Sequence, residues 1–572
     1  MMITTTPQRI EEFTRQGWWG STTVHDVLSQ RADEHPDLLA VADQPNRGAI
    51  TDGEPLRLNY DELRCAAINL AAQLLQRGIG AGDVLVVQLP NTVELAVCYF
   101  AASMVGAVIS PLPVQYGEHE LSAVNAGLSP AAMISARRLK DTCPAEVARR
   151  VMPRDIPVLL FGTGDANGGD EEGFGTLTLD RAATAGNVQA IHRHHAQYPP
   201  DANAILSICW TSGTTGQPKG VPRSHNMWLA IAENSAEAGD YRYGDRLLNP
   251  FPLVNMAALS GLFFSGMLRS SSLILHHPFD LPVFLQQMQD ERITFTIAPP
   301  AVLNRLAKSE AMWNAFDFSS LRGMGSGAAP LAPWMIDVFD RKYQKKIVNF
   351  YGSNEGISLY STPDTAAEPE VRASMFPRLG CEGMPWTSIA HRKVRTRVVR
   401  VDSEEEITQP GEAGELLFYG PTVFDGYFGR DDRRRGEFTS DGWFRTGDLV
   451  EICGHPPNYY RIVGRCKDII NRGGMKISPS ELDVLLEGMP ELSEAAVCAY
   501  PDDEMGERVC ACVVPLRARE APPLEEINEF LLGKGIAKFK LPEKLLVLDS
   551  LPLNPVGKVQ RHELERKAVD LG

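Results

Sequence analysis

The sequence predicts an α/β protein. It has a large amino-terminal domain of parallel and mixed sheets with helices plus a β-rich subdomain, and a small α+β carboxy-terminal domain. Three observations lead there. The early chain alternates helix-period and strand-period patterns; the texture turns β-rich after about residue 400; and shorter alternating units fill the last hundred residues. At 572 residues the chain exceeds what one hydrophobic core usually serves. Charged residues interrupt the apolar alternation near 464–468, so residues 1–464 and 465–572 are read as two domains.

Asn59-Tyr-Asp-Glu62 forms a capping box, opening a helix whose apolar positions Leu63, Ala67, Leu70, Ala71 and Leu74 recur at helical spacing. Gly78 sits where a helix ends, and "DVLVVQLP" (83–90) follows as a buried strand. "ELAVCYFAASMVGAVISPL" reads as a helix running into a second strand, a rhythm that implies parallel sheets. The Gly- and acid-rich stretch 162–175 reads as an exposed loop. "IHRHHAQ" (191–197) offers three histidines without a Cys, Asp or Glu partner at ligand spacing, so it is read as a solvated polar linker rather than a metal site. "GELLFYGPTVFDGYF" (414–428) and "LVEICGHPPNYYRIVGR" (449–465) are β-rich. Beyond them come a helix from Ser480, strands near 495–500 and 509–515, a helix near 524–532 and "KLLVLDSLP" (544–552).

Composition narrows the function. With 56 Lys and Arg against 72 Asp and Glu the formal charge is −16, which argues against a nucleic-acid binder. The ten cysteines are scattered, form no C-x-x-C pair and sit mostly in apolar runs, with Cys510 and Cys512 on one face of a strand pattern. They are expected as reduced core thiols in a cytoplasmic protein. No apolar run is long enough to span a bilayer, so no integral membrane association is expected.

The stretch "ICWTSGTTGQPKGVP" (208–222) concentrates donors and glycines behind an apolar run, Ala204 to Trp210. It is neither G-x-x-x-x-G-K-[ST] nor G-x-G-x-x-G, because Gly213 and Gly216 stand three apart and Pro218 precedes Lys219. Bare backbone N–H groups, the hydroxyls of Thr211, Ser212, Thr214 and Thr215, and one lysine suit the β- and γ-phosphates of a leaving pyrophosphate. A plain surface loop is the alternative.

"TSGTTGQPKG" (211–220) resembles the phosphate-loop signature of the adenylate-forming superfamily, which includes acyl- and aryl-CoA ligases, luciferases and peptide-synthetase adenylation domains. The resemblance continues in order through "SGAAPL" (326–331), "YGSNEG" (351–356), "GELLFYGP" (414–421), "GWFRTGDL" (442–449), "GRCKDIINRGGMKISPSELD" (464–483) and "NPVGKVQR" (554–561). It spans roughly residues 25–565 and implies ATP, Mg²⁺ and a carboxylic acid as ligands, with a mobile carboxy-terminal domain. By this resemblance Tyr351 stacks on adenine, with Asn349 at its edge and Gly327 and Ala328 beside it. Asp448 accepts from the ribose hydroxyls, Arg465 lies near ribose and phosphate, and Glu355 holds Mg²⁺. Lys558 reaches the substrate carboxylate and α-phosphate as a catalytic donor. Lys467, next to Asp468, is the hinge, and Gly473 and Gly474 line a pantetheine path where bare backbone allows close approach.

Two positions depart from the family's usual pattern. Asn354 stands where most relatives carry Thr, and its amide can still donate to phosphate. In "FPLVNMAALSG", Asn255 and Met256 replace the His or aromatic of many relatives, and with Gly325 they suggest a roomy apolar acid pocket. "INRGGMKIS" resembles the hydroxybenzoate-activating group, yet the Asn of that group's "HN" pair is missing. The expected reaction is ATP-dependent activation of an apolar acid to acyl-AMP, then transfer to coenzyme A, since no carrier module accompanies these residues. A stand-alone enzyme loading a carrier protein, or forming an amide, is the alternative. A non-catalytic ATP-binding relative is disfavoured by the presence of Glu355, Asp448 and Lys558.

Overall fold

The computed structural model describes residues 1–570 except 163–173, 212–217, 328–329, 402, 430–435, 474, 503, 517–519 and 554–558, together with the side chain of Lys476. Among the described residues the strands form four sheets. The capping box opens the first long helix as expected: Asn59 accepts from the Glu62 amide and the Glu62 carboxylate accepts from the Asn59 amide, starting Tyr60–Gln76. The helix ends before Gly78, whose φ of +77° suits a residue without a Cβ. Its buried face meets the helix Val93–Val105, every residue of which is buried.

These helices cover a seven-stranded sheet whose central strands Val84–Gln88, Val108–Pro111 and Ile205–Thr211 run parallel. At its edge the antiparallel pair Ile205–Thr211 and Lys219–Ser224 brackets the glycine-hydroxyl loop. A second sheet of eight strands carries Phe295–Ile297, Gly323–Gly327 and Lys346–Gly352 in parallel register, with antiparallel strands at both ends. The helix His225–Ala238 and its neighbours bury the largest apolar cluster between these two sheets.

The β-rich stretch becomes a six-stranded antiparallel sheet built on Ala413–Tyr419, Phe444–Cys453 and Tyr459–Arg465, with its own core. The last hundred residues pair Leu492–Asp502, Gly506–Pro515 and Lys544–Val547 in a five-stranded sheet. Helices Pro479–Leu486 and Leu524–Gly533 cover one of its faces and Arg561–Asp570 the other. The fold class is the expected one.

One local expectation fails. The histidine stretch lies within a helix, Ala185–Gln197, capped by Thr184. The physical reason is that His194 Nε2 and His195 Nε2 meet the carbonyls of Val105 and Met104, at 2.9 and 2.7 Å. The histidines thereby satisfy carbonyls that the end of the buried helix leaves without intrahelical partners. The helix Pro7–Arg15 was not anticipated either. Its Arg9 pairs with Asp425 and donates to the carbonyls of Gly420, Val423 and Phe424.

Arg223 joins three of the sheets. Its side chain is fully buried, its guanidinium donates to the carbonyls of Asn354 (2.9 Å), Met227 (3.2 Å) and Thr422 (2.9 Å), and it stacks on Trp228. Burial lowers its pKa to about 10, which still leaves it charged at neutral pH. Arg223→Met should cost about 3–5 kcal/mol of unfolding free energy, because buried carbonyls lose their charged partner. Arg223→Lys should recover little of it, since an ammonium cannot reproduce the planar fork. Urea denaturation of the two variants checks this; a lysine variant as stable as the parent overturns the assignment.

Candidate nucleotide and acid site

The backbone turn in "RTGD" prepares one wall of the site. Gly447 has φ of +70°. Its amide donates to the Glu415 carboxylate at 3.1 Å, while Thr446 Oγ1 accepts from the Asp448 amide at 3.0 Å. Strand pairing sets Asp448 opposite Arg465. The Asp448 carboxylate thus receives Arg465 Nε at 2.6 Å on one oxygen and the Tyr351 hydroxyl on the other. Burial, then the neighbouring carboxylate, raises the pKa of the Tyr351 phenol, so it stays a neutral donor. Tyr351, Asp448 and Arg465, from two sheets and three sequence motifs, form one hydrogen-bonded unit.

Glu355 lies next. Its carbonyl accepts from the Phe424 amide at 2.9 Å, and its carboxylate accepts from the Tyr427 hydroxyl at 3.0 Å. The following Gly356 has φ of +109°, and an added Cβ would lie 1.9 Å from the Thr422 carbonyl oxygen, so only glycine fits. Lys219 leaves the far end of the loop with its ammonium 4.5 Å from the Tyr427 ring centre and 3.4 Å from the Glu437 carboxylate. Thr211 Oγ1 donates to the Lys219 carbonyl at 3.4 Å, closing the base of the loop. Tyr427 and Glu437 were not anticipated. The Tyr lay in the quoted "FDGYF", but no spacing ties it to Glu355.

Asn354 links this wall to the neighbouring apolar cluster. Its Oδ1 accepts from the Met256 amide at 2.9 Å, while Asn255 caps the short helix Met256–Ala258 through the Ala258 amide. Met256 is buried in the large apolar cluster. Gly325 lies under Phe350 and Ile297: an added Cβ would sit 2.5 Å from the Phe350 ring and 3.0 Å from Ile297. One step along the same faces of these strands, at Gly323 and Val348, a cavity of about 500 Å³ opens, lined by Phe295 and Tyr360 and also by charged residues that include Glu237, Arg242, Arg322 and Lys346. Gly327 is equally tight, its Cβ position 2.1 Å from the Phe350 carbonyl oxygen.

Other expected residues stand apart. The Asn349 amide is buried and donates to the carbonyls of Arg372 and Ala373, at 3.0 and 2.9 Å, so it braces the strand. Lys467 lies 4.0 Å from Asp468; burial lowers its pKa, Asp468 opposes that, and Asp448 and Lys219 both act on it electrostatically. Gly473 has φ of +57° in the turn between Ile470–Arg472 and Met475–Ile477, with its amide on the Met505 carbonyl. Ser212, Gly213, Thr214, Thr215, Gly216, Ala328, Gly474 and Lys558 lie outside the described residues. No helix among the described residues is long and apolar enough to cross a membrane.

Comparison with known proteins gives the same picture. Residues 29–428 match the AMP-binding enzyme family and residues 481–558 the AMP-binding enzyme C-terminal domain. A salicylyl-CoA synthase / salicylate adenylyltransferase of Streptomyces sp is 30% identical over 563 residues, 97% of this chain and 95% of that protein. A medium-chain fatty-acid–CoA ligase of Escherichia coli (strain K12) is 30% identical over 571 residues, 99% of this chain and 94% of that one. The crystal structure of ATP-bound MatB from Rhodopseudomonas palustris superposes with a TM-score of 0.74 at 25% identity, covering 96% of this chain and all of that chain (100%). Seven ordered motifs, the paired sheets around Asp448 and these matches agree: the chain belongs to the AMP-binding enzymes of the adenylate-forming superfamily.

Proposed function

We propose that the protein activates an apolar carboxylic acid with Mg-ATP and passes the acyl group to the thiol of coenzyme A. The observation that carries this reading is the Tyr351–Asp448–Arg465 unit beside Glu355 and Lys219. In this reading Tyr351 supplies the adenine platform and Asp448 the acceptor for two ribose hydroxyls. The substrate carboxylate oxygen attacks the α-phosphorus and pyrophosphate leaves. The thiol sulfur then attacks the acyl carbon, AMP leaves, and the thiol proton goes to solvent. Mg²⁺ would be held by Glu355, a hard oxygen donor, and would neutralise phosphate charge. The acid's tail would lie in the cavity at Gly323 and Val348, while Phe350 and Ile297 close directly over Gly325. Asn349 is a strand brace here rather than an adenine contact.

Asp448→Ala should raise the KM for ATP about 10- to 100-fold, the equivalent of a charge-assisted hydrogen bond worth about 1.5–3 kcal/mol. ATP titration of pyrophosphate release reads it out; an unchanged KM removes Asp448 from the nucleotide site. Lys558→Ala should slow acyl-adenylate formation about 10²- to 10³-fold with the fold unaltered by circular dichroism, the usual effect of deleting one transition-state donor. Acid-dependent pyrophosphate exchange at the parent rate would reject that role.

The acceptor is tested through the hinge. Lys467→Pro fixes φ near −65° and should leave pyrophosphate exchange near normal while thioester formation is lost. The parent protein, given Mg-ATP, a panel of aliphatic and aromatic acids and coenzyme A, should yield acyl-CoA by mass. Adenylate that ignores coenzyme A but is consumed by a phosphopantetheinyl carrier or an amine would establish the other acceptor instead.

A further inference from the structure

Cys498, Cys510 and Cys512 come together inside the carboxy-terminal sheet. Cys498 pairs with Cys510 across the hairpin, and Cys512 is two residues further along, so all three sulfurs point to one face. That face is the one closed by the last helix, Arg561–Asp570, through Leu564 and Ala568. All three cysteines are 0% exposed. Their sulfurs lie within 4.8 Å of one another, with Cys498 and Cys512 only 3.7 Å apart.

We propose that these three thiols form a binding site for a soft, low-coordinate monovalent ion, Cu(I). A trigonal ion with metal–sulfur bonds of about 2.3 Å sets its sulfurs about 4 Å apart, the spacing already present here. The donor set is sulfur alone, which selects soft ions, and among the described residues no other His, Cys, Asp or Glu joins it within that spacing. Structural zinc takes four ligands, so a closed three-sulfur site suits it poorly. Charge points the same way. Two thiolates and one thiol around Cu(I) leave one negative charge, two protons having been released to solvent. Lys544, register partner of Cys510 on the adjacent parallel strand, supplies one positive charge beside it. The Lys544 ammonium also donates to the Ala568 carbonyl at 2.6 Å, tying the balancing charge to the covering helix.

The site is independent of the proposed reaction, and its test needs no activity. The reduced full-length protein is titrated anaerobically with Cu(I) against bicinchoninate. One equivalent should bind, with an X-ray absorption shell of three sulfurs at about 2.3 Å and slower amide exchange in Arg561–Asp570. Cys498→Ala and Cys512→Ala, each verified as folded by circular dichroism, should weaken binding by more than the roughly 10–100-fold that outer-sphere changes cost. Cys143→Ser, at an exposed cysteine, should change nothing. A shell containing nitrogen or oxygen, stoichiometry that survives the Ala variants, or binding lost in Cys143→Ser would leave the cluster as plain core thiols and overturn the proposal.

Discussion

The site rests on a buried cation. Arg223 is the residue at which the seven-stranded sheet, the eight-stranded sheet and the antiparallel sheet are held to a common origin. It lies on the strand Lys219–Ser224, yet two of its three acceptors are Asn354 and Thr422, which flank the ends of strands in the other two sheets. A single charged fork satisfying three carbonyls tolerates little sliding, because burial makes each unmet carbonyl expensive. Part of the candidate site lies close to this joint. Glu355 follows Asn354, Gly356 closes on the Thr422 carbonyl, and Lys219 begins the strand that carries Arg223. Arg9 repeats the device from outside, pinning 420–425 by three carbonyls and Asp425.

This explains which parts were legible from sequence. Elements whose cause is local were readable: the Asn59–Glu62 box, the Gly78 stop and the period-two runs of the late strands all appear where periodicity and capping put them. The residues Tyr351, Asp448, Glu355 and Lys219 were legible through ordered motifs, although nothing in their spacing says that Asp448 and Tyr351 touch. Features created by long-range packing were not readable. A histidine run looks like a polar linker until its rings find the carbonyls of Met104 and Val105 some ninety positions away. Asn349 sits in the right motif, but the fold commits its amide to Arg372 and Ala373. Tyr427 reaches Glu355 across 72 positions of chain.

Electrostatics around Asp448 follow from the same economy. The carboxylate is nearly enclosed, and the protein gives it Arg465 and the Tyr351 hydroxyl, one for each oxygen. Neither partner saturates it, since a carboxylate offers about four acceptor positions. Its remaining lone pairs suit neutral donors such as paired hydroxyls. A second cation would be redundant there, and the next cations, Lys219 and Lys467, are instead held off by Glu437 and Asp468. Positive charge is thereby kept for the space where a triphosphate would bring four negative charges.

Asn354 ties the wall that carries Glu355 to the Met256 turn, and an asparagine at that position can do so because its amide offers an acceptor as well as donors. A threonine hydroxyl at that position could donate one hydrogen bond. The asparagine amide divides the labour: Oδ1 accepts from the Met256 amide and so fixes the Asn255–Ala258 turn, while Nδ2 keeps two donors with no partner among the described residues. Its backbone carbonyl, meanwhile, is held by Arg223. Held at its side-chain oxygen and at its backbone carbonyl, Asn354 joins the Met256 turn to the strand end that carries Glu355.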